Sequence, residues 1–130
     1  MKILVGYKGV NVGKDLIDIA VRHAEAFHGQ VIVVTSMRGG GNTDPKEVKA
    51  AEDNLAEILP FFQKKNIPCE THLLIRGMEP GEDIVRFAKE NKVDEIIIGV
   101  RSRSKVGKLL FGSTAHVVIL EADCPVVTVK

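Results

Sequence analysis

EIIIGVRSRSKVGKLLFGST, Glu95 to Thr114, is the stretch on which the fold turns. After Glu95, its residues Ile96 to Val100 are apolar without a break. A strand with one face in water would alternate, so this one is read as covered on both faces, as in a parallel sheet. VIVV, within Val31–Thr35, has the same character. Ile3–Tyr7, Cys69–Ile75 and Pro125–Val129 complete a set of five short apolar runs, with Glu95–Gly99 as the fourth in chain order.

Amphipathic segments lie between the runs. Lys14 to Phe27 places Leu16, Ile17, Ala20, Val21, Ala24 and Phe27 at helical spacing, with Gly29 where a helix C-terminus favours glycine. Asp44 to Lys65 opens with Asp-Pro, a capping residue and a first-turn proline. Val48, Ala51, Leu55, Ile58, Leu59 and Phe62 form its apolar face, and Pro60 inside it predicts a kink or a break. Pro80–Asn91 and Ser113–Ala122 are two further helices. The order βαβαβαβαβ predicts an α/β fold: a doubly wound, five-stranded parallel sheet with helices on both faces, Rossmann-like or flavodoxin-like.

The chain of 130 residues fits one domain, residues 1–130, with room for a real core. Hydrophobic residues at 45% and charged residues at 27% describe a globular protein. A net charge of +1 leaves no global footprint for nucleic acid or a membrane surface. No signal-peptide pattern opens the sequence and no apolar run is long enough to span a bilayer, so a cytoplasmic protein is expected. Cys69 and Cys124 lie far apart beside apolar runs and read as free thiols in a reducing compartment.

Ligands of such sheets sit beyond the carboxyl ends of the strands. Three loops there are rich in glycine: Lys8–Gly13, Ser36–Thr43 and Gly99–Gly112. GYKGVNVGKD is not a Walker sequence, because Lys8 stands where glycine is needed and Asp15 where a hydroxyl is needed. The stretch after the fourth run fails the same test but has the parts of an anion site. Gly99 lets backbone approach a ligand, and Gly112, Ser113 and Thr114 open a helix whose free N–H groups favour an anion. Arg101, Arg103, Lys105 and Lys108 add charge, and no acid falls between Gly99 and Thr114. A phosphate cradle and a solvated loop with a capping serine both fit these residues. RGGGNTD, Arg38 to Asp44, likewise fits a lid or a tolerated loop.

Over its whole length the chain resembles the universal stress protein family. Nucleotide-binding members carry G-x2-G-x9-G-[ST] after the fourth strand, which Gly99, Gly112 and Ser113 match in spacing. ADCPVVTV and RGMEPGEDIVRFA resemble the family's last strand and its third strand-to-helix turn. Ser102 replaces the second glycine, and Lys8 stands where members usually have an aspartate that reaches the ribose. The resemblance implies a regulatory module that binds an adenine nucleotide, ATP foremost, with or without Mg²⁺. It implies an adenine pocket of backbone groups around Val34, Thr35 and Ser36, beside Gly6, Tyr7 and Lys8, with phosphates held by Gly99, Arg101, Ser102, Gly112, Ser113 and Thr114. It also implies a homodimer through the last strand, residues 125–130, and action through an unidentified protein partner. A nucleotide-free interaction module is the alternative that Lys8 and Ser102 favour.

No histidine, cysteine or acid combination has the spacing of a metal site, and no nucleophile with base and orienter is visible, so no enzyme is expected, with slow ATP hydrolysis left open. His23, His28 and His72 read as surface or paired groups, and His116 as a surface histidine near the anion loop. Phe27, Phe61, Phe62, Phe87 and Phe111 read as core, and Glu82-Asp83 as helix N-terminal charge.

Overall fold

A computed structural model of the chain describes residues 1–8, 10–100 and 112–130. The elements run β1 (Lys2–Gly6), α1 (Val10–Phe27), β2 (Gln30–Met37), α2 (Pro45–Gln63), β3 (Cys69–Ile75), α3 (Pro80–Glu90), β4 (Glu95–Gly99), α4 (Ser113–Glu121) and β5 (Val126–Val129). All strand pairings are parallel, and the strand order is β3-β2-β1-β4-β5. This is the doubly wound α/β fold expected from the runs.

The unbroken runs are buried because each strand feeds two cores. Ile3 and Val5 of β1, Tyr7 just after it, Val31 and Val33 of β2 and Ile97 of β4 pack under α1 and α2. Leu4, Ile32, Val34, Ile96 and Ile98 point the other way, under α3 and α4. Ile3, Leu4, Val5, Ile96 and Ile97 are fully excluded from water. Burying each such side chain contributes about 1.5–3 kcal/mol, so the three central strands dominate stability.

Several local expectations are corrected. Helix α1 begins at Val10, not Lys14, so the first loop is short. Gly13 lies inside the helix because the Tyr7 ring lies against it: a Cβ there would stand 2.0 Å from Tyr7 Cε2. The left-handed residue after α1 is His28, at φ 52°, not Gly29. Gly29 instead lets the chain pass Met1, whose carbonyl oxygen would lie 3.0 Å from an added Cβ.

Helix α2 is not broken at Pro60; it runs to Gln63. The proline removes one N–H late in the helix, while Phe62, fully buried, anchors the last turn. Two predicted core aromatics are on the surface: Phe27 is 55% exposed and Phe61 61%. Both sit at the edge of their helix's apolar stripe, where no second layer covers them.

Candidate functional site

The strand order reverses at β1. The chain builds outward through β2 to β3, then crosses to β4 on the other side of β1 and ends at β5. The carboxyl ends of β1 and β4 therefore diverge into separate crossovers and leave a crevice between them. Because β4 and β5 are parallel, α4 starts at this same end.

The end of β1 is locked to the end of β2. Tyr7 donates its backbone N–H to the Val34 carbonyl oxygen at 2.8 Å. The Thr35 hydroxyl donates to the Tyr7 carbonyl oxygen, also at 2.8 Å. Among the described residues Thr35 is one of three buried polar side chains, and this bond accounts for its burial. Gly6 closes β1 with little room: a Cβ would meet Ile98 at 3.2 Å and Ile84 at 3.3 Å.

Tyr7 contributes backbone rather than ring to this end. Its side chain is buried in the core under α1 and α2. That burial, with the Glu57 carboxylate adding, pushes the phenol above its ordinary pKa. Lys8 follows, exposed. Gly99 closes β4 opposite Val129 of β5, and Val100 donates to the Val129 carbonyl oxygen at 2.9 Å.

Gly112 is the N-cap of α4, with φ −69° and ψ 162°. It brings no side-chain oxygen, so it leaves the first-turn N–H groups to other acceptors, an anion among them. Ser113 is exposed and Thr114 partly buried. The start of α4 is held against α3 by close contact: a Cβ on Gly81 would lie 2.9 Å from Val117 Cβ and 3.1 Å from the Thr114 carbonyl oxygen.

The structure thus brings Gly6, Tyr7, Lys8, Val34 and Thr35 together on two adjoining strand ends, with Gly99 on the next strand. Gly112, Ser113 and Thr114 start the helix that returns from it. Arg101 and Ser102, with Arg103, Lys105, Lys108 and Phe111, lie outside the described residues. Met78 is partly buried and His116 exposed. Among the described residues no group of three or more His, Cys, Asp or Glu side chains could hold a metal. An open depression of about 510 Å³ lies at the opposite end of the sheet, lined in part by Met1, Glu25, His28, Lys65 and Asn66. None of the buried polar side chains lines it.

One constellation escaped the sequence. Asp83 reads as helix N-terminal charge but is fully buried. Its carboxylate accepts from the Ser36 hydroxyl at 2.8 Å and from Arg76 Nε at 2.6 Å. Arg76 also donates to Glu90 at 2.7 Å and lies over the Phe87 ring. Glu90 first, then Asp83, raises the guanidinium pKa further. The network ties β2, β3 and α3 together, and Ser36 is the residue after Thr35. The signal available was weak: an arginine at a strand end, and an acid whose helix neighbour at i+3, Arg86, suggested a surface pair.

A second buried carboxylate, Glu95, accepts from His23 Nδ1 at 2.6 Å, which brings α1 onto β4. His72 is half-exposed and pairs with Glu70 at 3.2 Å, while His28 is on the surface. Among the described residues no helix is long and apolar enough to cross a membrane.

Comparison with known proteins matches this architecture closely. The family model described as "Universal stress protein family" matches residues 1–130. A universal stress protein structure from Archaeoglobus fulgidus superposes with a TM-score of 0.90 at 37% identity, covering 99% of this chain and 97% of that one. A second structure from that organism, solved in complex with dAMP, has a TM-score of 0.83 at 33% identity, covering 99% and 96%. A Thermus aquaticus protein named "Universal stress protein in QAH/OAS sulfhydrylase 3'region" is 30% identical, over 98% of this chain and 97% of its own length. The chain belongs to the universal stress protein family.

Proposed function

We propose that the chain is a regulatory module that binds an adenine nucleotide, foremost ATP, across the carboxyl ends of β2, β1 and β4. The observation that carries this reading is the locked junction of Tyr7 with Val34 and Thr35, at the same end of the sheet as a glycine-capped helix start across the reversal in strand order. The base lies toward Val34–Ser36, where the strand ends offer backbone groups. The phosphates lie toward Gly99 and Gly112–Thr114, with Arg101 and Ser102 in the same stretch of sequence. Any Mg²⁺ takes its ligands from phosphate oxygens and water. A relative 33% identical over nearly the whole chain was solved with dAMP, which supports a nucleotide of this class.

The module works without chemistry in this reading and signals through a homodimer in the cytoplasm. Strand β5 is a sheet edge with Val126, Val127 and Val129 only partly covered. Ile119 and Leu120 of α4 are 42% and 69% exposed beside it, an apolar margin suited to a second copy. The second reading is a nucleotide-free interaction module. Lys8 favours it, as a cation at the mouth of the crevice.

Mass spectrometry of small molecules released on denaturing freshly purified protein tests the choice. Release of stoichiometric adenine nucleotide is expected. An empty protein that takes up no ATP on titration would leave the interaction module.

A further inference from the structure

We propose that Ser36 reads the base of the bound nucleotide through its hydroxyl oxygen, and that the pair Asp83–Arg76 sets this by taking the hydroxyl proton. The site then selects a purine with an amino group at C6 over one with a carbonyl there. The inference rests on the binding mode given above.

Position comes first. Ser36 has the strand parity of Ile32 and Val34, which pack under α3 and α4. Its hydroxyl reaches Asp83 of α3 at 2.8 Å, on that same face. The first turns of α3 touch three sides of the proposed site. Asp83 meets Ser36 on β2, and Ile84 lies 3.3 Å from a Cβ added to Gly6 on β1. A Cβ on Gly81 would lie 3.1 Å from the Thr114 carbonyl oxygen of α4. The Ser36 hydroxyl and the start of α4, to which the phosphates are assigned, therefore lie on one face of the sheet. A nucleotide that runs from the end of β2 to α4 brings its base to Ser36.

Chemistry follows from where the proton goes. A carboxylate held by a guanidinium only accepts. Arg76 Nε donates to Oδ1 of Asp83 at 2.6 Å, and Oδ2 takes the Ser36 proton. Asp83 is fully buried, so water does not compete for it. Arg76 is fixed from its other side by Glu90 at 2.7 Å and by the Phe87 ring. Ser36 thus has no proton to give a ligand, while its lone pairs remain and the residue is only partly buried. Thr35, the other hydroxyl at this strand end, is buried and gives its proton to the Tyr7 carbonyl. The two hydroxyls at the end of β2 therefore offer a ligand an acceptor and no donor. A 6-amino group donates to such an oxygen. A 6-oxo group sets two acceptors face to face, and leaving polar groups unpaired in a site costs more than a missing contact.

The test is calorimetric titration of nucleotide-stripped full-length protein with ATP, inosine 5′-triphosphate and the 5′-triphosphate of purine riboside, which has hydrogen at C6. ATP is expected to bind at least about tenfold more tightly than either of the others. Ser36→Ala should bring the three affinities to within about threefold. Asp83→Asn reads the positioning role. Its amide donates to the Ser36 oxygen and releases the hydroxyl proton toward the ligand, so the inosine nucleotide should gain on ATP by at least about tenfold. A purely structural role would weaken all three together and leave their ratios unchanged. That outcome, or equal binding of the three by the native chain, would overturn the inference and leave the nucleotide site standing. Ser36→Ala decides alone if Asp83→Asn does not fold. An ATP preference that survives Ser36→Ala would assign base selection to backbone groups and overturn the role of Ser36. Absence of binding by all three would overturn the site itself, and the inference with it.

Discussion

The Thr35 hydroxyl donates to the Tyr7 carbonyl oxygen at 2.8 Å, joining two strands at the end of the sheet where the crevice opens. Tyr7 returns the link through its N–H to Val34. Thr35→Val keeps the shape of the side chain but removes the donor. It should destabilise the fold by about 1–3 kcal/mol, the cost of an unsatisfied buried acceptor. ATP affinity should fall as well, because the base end of the site loses its fixed geometry. Denaturant melts and titration of one variant measure both effects. A variant with native stability would show that the bond holds nothing together.

The Arg76–Asp83 pair should respond asymmetrically to removal of each partner. Asp83 is fully buried, whereas the Arg76 side chain is 31% exposed and keeps Glu90 as a second partner. Arg76→Met strands a carboxylate in the core with only the Ser36 hydroxyl, a loss of about 3–5 kcal/mol. Asp83→Asn leaves an amide of the same shape whose oxygen can accept from Arg76 while its NH2 donates to the Ser36 oxygen, and should cost less. Chemical denaturation of the two variants checks the order, and a larger loss for Asp83→Asn would contradict it.

Gly81→Ala separates helix propensity from packing. Alanine is the better helix former by about 1 kcal/mol. Here its Cβ would lie 2.9 Å from Val117 and 3.1 Å from the Thr114 carbonyl. Overpacking of this kind costs about 1–3 kcal/mol and pushes α4 away from α3. A lower Tm together with weaker ATP binding is expected, since the shift moves Gly112–Thr114. A higher Tm would mean that the contact yields easily.

Cys69 should be inert in the native state. Burial, with a smaller contribution from Glu70, pushes its thiol up to about 12 from 9.0. Little thiolate exists at pH 8, so iodoacetamide should label Cys69 slowly in native protein and quickly in urea. The sign for stability follows from the protonated form being favoured on folding. That contribution is complete below about pH 9 and is lost as pH rises toward 12. Alkaline melts that show rising stability across this window would contradict the assignment.

The fold was legible where burial is dictated by neighbours in sequence. IIIGV, after Glu95, has no polar side chain to turn toward water, so β4 had to be covered on both faces, as Ile96 and Ile97 are. Features that need a distant partner were not legible. Gly13 looks like a loop glycine until the Tyr7 ring is seen against it. Asp83 looks like a surface acid because Ser36, its partner on β2, is far away in sequence. Phe27 and Phe61 have core spacing, but nothing in periodicity tells which edge of a stripe a second layer covers. For the site, glycine spacing located the strand ends and the helix start. The bonds that lock Tyr7 to Val34 and Thr35 follow only from the pairing of β1 with β2.

The central claim is tested most directly by titrating stripped protein with ATP, beside the variant Gly112→Val. Gly112 has φ −69° and ψ 162°, a conformation that valine adopts without strain, so the variant should fold. Its side chain would occupy the space in front of the first-turn N–H groups. The account predicts ATP binding by the native chain, with Kd in the range of about 1–100 μM, and loss of at least about tenfold in the variant. No binding by the native chain, or equal affinity in a folded Gly112→Val, would contradict it.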